Sequence, residues 1–242
     1  MLAAAVAAAR DPVTEEDLAA LPSPVQRWLR ASGVVGRPIP TTVRLRQEGE
    51  LRLGGGGWIP FTAQEYYSTS PPAFVGRARI TMAPGVVIAG KDSYLDGHGE
   101  LAMRLLGAVP VARDSGPVMD EADLLRFLNE IMWFPAAALL PQIAWEPVDD
   151  GSARATMSVG GVRGSATFVI DAEGRLADMV ADRFDRDGGS VVPWSTPVDA
   201  YGEFGGVRVP TSGEAVYARA AGDHPYIRIQ ITDLEYDVPR RY

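Results

Sequence analysis

Pro225-Tyr226-Ile227-Arg228-Ile229-Gln230-Ile231-Thr232 decides the fold of this chain. In an extended backbone Ile227, Ile229 and Ile231 fall on one side, and Tyr226, Arg228, Gln230 and Thr232 on the other. That alternation marks a half-buried antiparallel strand. After Ile231 the apolar phase slips before it resumes at Leu234, which predicts either a bulge or the end of the strand.

The same period of two extends outward. Val43, Leu45, Leu51 and Leu53 oppose Arg44, Arg46, Glu48, Glu50 and Arg52, and Gly54 to Gly57 make a hairpin into Trp58-Ile59-Pro60-Phe61. Strands are predicted at about 61–68, 73–82, 86–95 and 100–106, with Asp96-Gly97-His98-Gly99 as a tight turn. A second set follows at about 143–148, 153–159, 162–171, 175–184, 197–204, 207–218 and 226–237. Between the sets, Asp120 is expected to cap a helix running to about Phe134, with Asp123 completing a capping box. Leu124, Leu128 and Ile131 give that helix a wide apolar face, and Pro135 and Pro141 break the run beyond it. Near the start, Thr14-Glu15-Glu16-Asp17 reads as a capping box. Ser23-Pro24-Val25-Gln26 opens a second helix whose Trp28 face should pack on the sheet, and Gly33 is its stop.

The architecture expected is mainly β with few helices: one large, strongly curved antiparallel sheet, an open half-barrel wrapped around a central helix at about 120–140. Residues 1–40 form an N-terminal helical arm, and residues 41–242 one half-barrel domain.

Composition narrows the function. A net charge of −8 over 242 residues lacks the clustered positive field that nucleic acid needs. The absence of cysteine removes thiol nucleophiles, disulfides and thiolate metal sites. Met1 to Arg10 superficially resembles a secretory signal but has no basic n-region, so an Ala-rich helical arm is the better reading. No window carries the ~20 apolar residues that cross a bilayer. A soluble, cytoplasmic protein is expected, with no cofactor implied.

Reaction motifs are absent or broken. Gly85-Val86-Val87-Ile88-Ala89-Gly90-Lys91-Asp92 has aspartate where a phosphate loop needs Ser or Thr, and its β-formers read as strand. His98 and His224 form no zinc pairing. Asp182, Asp185 and Asp187 are interleaved with Arg183 and Arg186 and read as a solvated turn, so no metal site is expected. Lys91, the single lysine, is a Schiff-base candidate only in a desolvated pocket. Glu65, Asp92, Asp96 and Glu214 are the carboxylates best placed for acid–base work, and none stands out enough to be assigned a catalytic role.

What remains is aromatic and apolar. Trp58, Phe61, Tyr66, Tyr67, Phe74, Tyr94, Trp133, Phe134, Trp145 and Trp194 either fill a core or line a cavity in an incompletely filled half-barrel. For a ligand site the residues chosen are Trp58, Tyr66, Tyr94, Trp133, Phe134 and Trp194, with Arg77, Arg79, Lys91 and Arg183 as anchors for an anionic headgroup.

Several segments in one order carry a resemblance: Pro24 to Leu29, Trp58 to Gln64, Pro72-Ala73-Phe74 with Ala78-Arg79, and Gly90 to Tyr94. Arg126-Phe127-Leu128 with Trp133-Phe134-Pro135, Pro193-Trp194, and Val209-Pro210-Thr211 with Gly213-Glu214 continue it. Over about residues 20–238 the chain resembles an uncharacterised bacterial family of unknown function. Many relatives carry hydrophobic membrane segments before this domain, and none is read here. At the level of strand pattern it also resembles the half-barrel of lipoprotein carriers, which implies an apolar ligand. The leading expectation is therefore non-enzymatic binding of an apolar or amphiphilic small molecule. A carboxylate-dependent hydrolase-like enzyme and a protein-interaction module are the alternatives. No oligomeric state follows.

Overall fold

The structure, a computed structural model, describes residues 11–242. The Ala-rich segment at the start lies outside the described residues. Strands β1 (Thr42–Leu51), β2 (Ile59–Thr69), β3 (Pro72–Ala83), β4 (Val86–Leu95), β5 (His98–Leu105) and β6 (Val109–Ser115) form a meander. Helix α3 (Pro117–Glu130) and 3-10 turns at Ile131–Trp133 and Pro135–Leu139 follow. A second run comprises β7 (Ile143–Pro147), β8 (Ser152–Val159), β9 (Val162–Ile170), β10 (Leu176–Asp185), β11 (Ser190–Ser195), β12 (Val198–Phe204), β13 (Val207–Arg219) and β14 (Gly222–Tyr236). Among the described residues, helices α1 (Glu15–Leu18) and α2 (Ser23–Ser32) precede the strands.

All 14 strands join one antiparallel sheet in the order β6-β5-β4-β3-β2-β1-β14-β13-β11-β10-β9-β8-β7, with β12 paired to β13 off that path. The seam between the two runs is β1 against β14, where Ile227 meets Leu51, Ile229 meets Gly49 and Ile231 meets Gln47. Arg46 pairs with Asp233 and Gln47 with Ile231, so Thr232 is the extra residue of the predicted bulge. The sheet curls round α3, which packs on β3, β4 and β5 from one side and on β8, β9 and β10 from the other. This is the half-barrel with a central helix. The edge strands β6 and β7 stay apart in the sheet order, so the curl does not close.

The core explains the curl. Leu124, Leu125, Phe127 and Leu128 on α3 and Ile131 just beyond its end are fully buried, against Tyr67, Phe74 and Tyr94 on one arm and Ala155, Met157 and Phe168 on the other. On α2, Trp28 packs on Phe168 with ring centroids 5.7 Å apart, and Gly33 ends the helix at φ 75°. Only glycine adopts that left-handed backbone cheaply.

Three local expectations need correction. Helix α2 is capped by Pro22, with Ser23 already its first residue and without a side-chain cap. Helix α3 begins three residues before Asp120, behind Gly116 at φ 101°. Asp120 instead accepts the Gly99 N–H at 2.7 Å, tying α3 to the β4–β5 turn, and the buried Asp123 carboxyl has no hydrogen-bond partner among the described residues. Strands β6 and β11 were not foreseen. Each contains a proline, and β6 is an exposed edge strand whose apolar residues Val109 and Val111 face solvent.

A charged end to an apolar cavity

The register of β2, β3, β4 and β5 lays four rows across the concave face. Phe61, Ile80, Ile88 and Leu105 make an apolar row. Ala63, Ala78, Gly90 and Met103 make a row of mostly small side chains. Glu65, Gly76, Asp92 and Leu101 make an acidic row, and Tyr67, Phe74, Tyr94 and Gly99 an aromatic one that closes onto the core. The small residues leave room where a core would fill. A cavity of about 550 Å³ lies between these rows and α3, and continues to the β10, β11, β13 and β14 wall. Its lining is mostly apolar. The apolar row, with Ile227 and Ile229 of β14 packed against it, forms a hydrophobic cluster separate from the main core.

At the acidic row one guanidinium serves three carboxylates. Arg126 of α3 donates through Nε to Glu130 at 2.8 Å, through Nη1 to Asp92 at 2.5 Å, and lies 3.1 Å from Glu65 through Nη2. Its guanidinium carbon also stands 4.6 Å from the Phe74 ring centroid. Glu65 sits flat over Gly76, where an added Cβ would come 2.2 Å from Oε2. Only glycine lets the carboxylate settle there. The Glu65 and Glu130 side chains are 4% and 7% exposed.

Burial disfavours the charged forms. It pushes Glu65 up to about 8 against the opposing pull of Arg126, with Glu130 and Asp92 adding repulsion. Burial likewise raises Glu130, and raises Asp123, next on the same helix, to about 8. The Tyr67 hydroxyl is raised by burial and then by Glu130 and Glu65, though it makes no hydrogen bond of good geometry. Glu65 and Asp123 are therefore mostly protonated at neutral pH.

The opposite wall carries Arg183. Its Nη1 donates to the Tyr217 hydroxyl at 2.8 Å and its Nε to the Ala122 carbonyl at 3.3 Å, while the guanidinium lies 4.9 Å from the Trp194 ring centroid. Trp194 Nε1 donates to the Tyr226 hydroxyl at 3.1 Å. Tyr226 reaches this wall because the β13–β14 register shifts between Ala215 and Val216 and leaves it unpaired, against the simple alternation of its segment.

The structure divides the ten residues read as ligand contacts. Lys91, Trp133, Arg183 and Trp194 touch the cavity, although Lys91 is exposed and shares its side-chain phase with Arg77. Tyr94 and Phe134 belong to the core. Arg77 and Arg79 are exposed on the convex face. Tyr66 shares that convex phase and packs against Tyr242, and Trp58 is held between Arg52 and Arg228, each 4.3 Å from its ring. Of the four carboxylates, Glu65 and Asp92 meet across Gly76, Glu214 pairs with Arg228 at 3.3 Å, and Asp96 sits in the β4–β5 turn. Asp185 is taken by Arg219, and the sequence resembling a phosphate loop is strand β4. Among the described residues no group of three or more His, Cys, Asp or Glu could hold a metal ion, and no helix is long and apolar enough to cross a membrane. Sequence reasoning missed Arg126, Glu130 and Gly76. The i, i+4 pair Arg126–Glu130 was visible as a spacing, but ordinarily it marks a solvated helix face.

Residues 11–229 match the family of unknown function DUF6544, and the chain belongs to that family. No curated protein matches it in sequence. Among solved structures it is similar to a LolA superfamily protein from Nitrosomonas europaea, at 9% identity and TM-score 0.42, covering 90% of this chain and 94% of that one. It is also similar to a porin-like protein from Bacteroides uniformis, at 11% identity and TM-score 0.28, covering 81% and 98% respectively.

Proposed function

We propose that this DUF6544 member binds an apolar or lipid-like small molecule in the concavity of its sheet, without chemical turnover. The observation that carries the reading is the 550 Å³ cavity between α3 and the concave rows. That volume lies in the range of small-molecule sites, and mostly apolar walls with a few convergent polar groups are their usual lining. Native mass spectrometry of freshly purified protein, followed by organic extraction, tests it. The expected result is a co-purifying amphiphile, or uptake of one from a lipid panel at one per chain. A bare mass with no uptake would sink the reading.

One observation favours a second reading, general acid catalysis on a bound amphiphile. Glu65 is held near a pKa of about 8 in a cavity wall, with Asp92 sharing its guanidinium. A screen of hydrolysable amphiphiles decides between the two. Turnover that disappears in Glu65→Gln while binding persists would replace the carrier reading, and no turnover across the panel would remove the catalytic one.

A further inference from the structure

We infer that the acidic row takes the ammonium group of a long-chain amine, with the hydrocarbon lying along the small and apolar rows. The inference rests on the binding reading above and specifies the head of the ligand. Arg126 commits one nitrogen to each of Glu130, Asp92 and Glu65. On the acceptor side Glu65 Oε2, Glu130 Oε2, Asp92 Oδ1 and Gln47 Oε1 are buried and have no donor among the described residues. All four residues line the cavity, and Glu65, Glu130 and Gln47 are each more than nine-tenths buried. Buried acceptors are costly to leave unpaired. An ammonium brings three donors and one positive charge to a place where three carboxyl groups share one guanidinium.

An anionic head fits less well. Arg126 is already surrounded by carboxylates, and Arg183 is committed to Tyr217, the Ala122 carbonyl and the Trp194 face. The row order also suits a single-headed chain, since the carboxylates lie next to the small residues and the apolar row lies beyond.

The titration of Glu65 gives this head a signature. The groups facing it are Arg126 and Glu130 from α3, Asp92 from β4, Gln47 from β1 and Tyr67 on its own strand. With burial holding Glu65 at about 8, it is mostly protonated at pH 7. A cation arriving beside it favours the carboxylate, so the proton leaves as the amine binds.

The test uses the full chain and displacement of a neutral fluorescent probe, N-phenyl-1-naphthylamine. Dodecylamine, dodecanol and dodecanoate compete at pH 7, each below its micelle concentration. Dodecylamine is expected to bind about tenfold or more tighter than dodecanoate, with dodecanol between, a gap of the size a charge-assisted hydrogen bond gives. Calorimetry in two buffers of different ionisation heat is expected to show proton release with dodecylamine and none with dodecanol. Glu65→Gln should abolish that release and lower the ratio of dodecylamine to dodecanol affinity, and Asp92→Asn should lower that ratio in the same direction. Chains that bind with dodecanoate equal or tighter would overturn the headgroup and leave the apolar-ligand reading standing. No binding by any of the three would overturn both.

Discussion

Glu65 and Gly76, paired across β2 and β3, are packed so closely that the carboxylate occupies the space a side chain would need: a Cβ on Gly76 would lie 2.2 Å from Glu65 Oε2. The acidic row therefore depends on a residue with no chemistry of its own. Gly76→Ala is expected to push Glu65 off Arg126 and to destabilise the protein by about 1–3 kcal/mol, the cost of overpacking plus a weakened charged hydrogen bond. Urea unfolding measures it. An unchanged midpoint would mean that Glu65 swings aside without cost.

Among the described residues, Arg126 is the only cation bonded to Glu65, Asp92 and Glu130. Arg126→Met keeps much of the length and removes the charge, leaving Glu65, Asp92 and Glu130 without a counterion. Breaking a buried charge group in this way costs about 3–5 kcal/mol. The loss should be larger at pH 9 than at pH 6, because protonation relieves the carboxylates at the lower pH. Thermal unfolding at the two pH values checks both the size and the direction.

Stability itself should fall as pH rises through neutrality. Glu65 goes from an ordinary 4.5 to about 8 on folding, and Asp123 from 3.8 to about 8. Between those values the folded state holds protons that the unfolded chain has lost, so each group lowers stability by up to about 1.4 kcal/mol per pH unit. Above about 8 the effect levels off. Asp17, Asp149, Asp171 and Asp185 have lowered values and act oppositely, losing their contribution only as pH falls below 3.8. The expected optimum is acidic, near 4 to 5, and Glu65→Gln should flatten the neutral slope by one proton. A flat urea-midpoint series from pH 5 to 8 would contradict it.

Filling the small-residue row should separate binding from folding. Ala78 lies on the cavity wall, between Ala63 and Gly90 in the register. Ala78→Leu projects into the cavity and is expected to change stability by less than about 1 kcal/mol, since space is available to it. Uptake of neutral dodecanol should fall strongly. Probe displacement and a melting curve on the same sample give both readouts.

Much of this architecture was legible in the alternation of Ile227, Ile229 and Ile231, in the Thr14–Asp17 capping box, in Gly33 and in the slip at Thr232. Patterns of period two are local, and local patterns survive folding. Strands β6 and β11 were not legible because an exposed edge and a proline remove the alternation that would reveal them. The acidic row was half legible. Glu65 and Asp92 stood out as strand carboxylates, but their meeting across Gly76 is a matter of register, and Arg126 arrives from a helix far along the chain. Asp120 reads locally as a cap and is drawn instead to Gly99.

The seam between β1 and β14 has a consequence in time. Val43 pairs with Tyr236, so the two halves join only after nearly the whole chain has been threaded into place. Contacts this distant are slow to form, because the loop between them loses its entropy first. The cavity draws its walls from both sides of that seam, Phe61 and Ile80 on one and Ile227 and Ile229 on the other. A molecule that fits the finished cavity binds the zipped state alone, and by mass action it acts as a latch on the protein's last step of assembly.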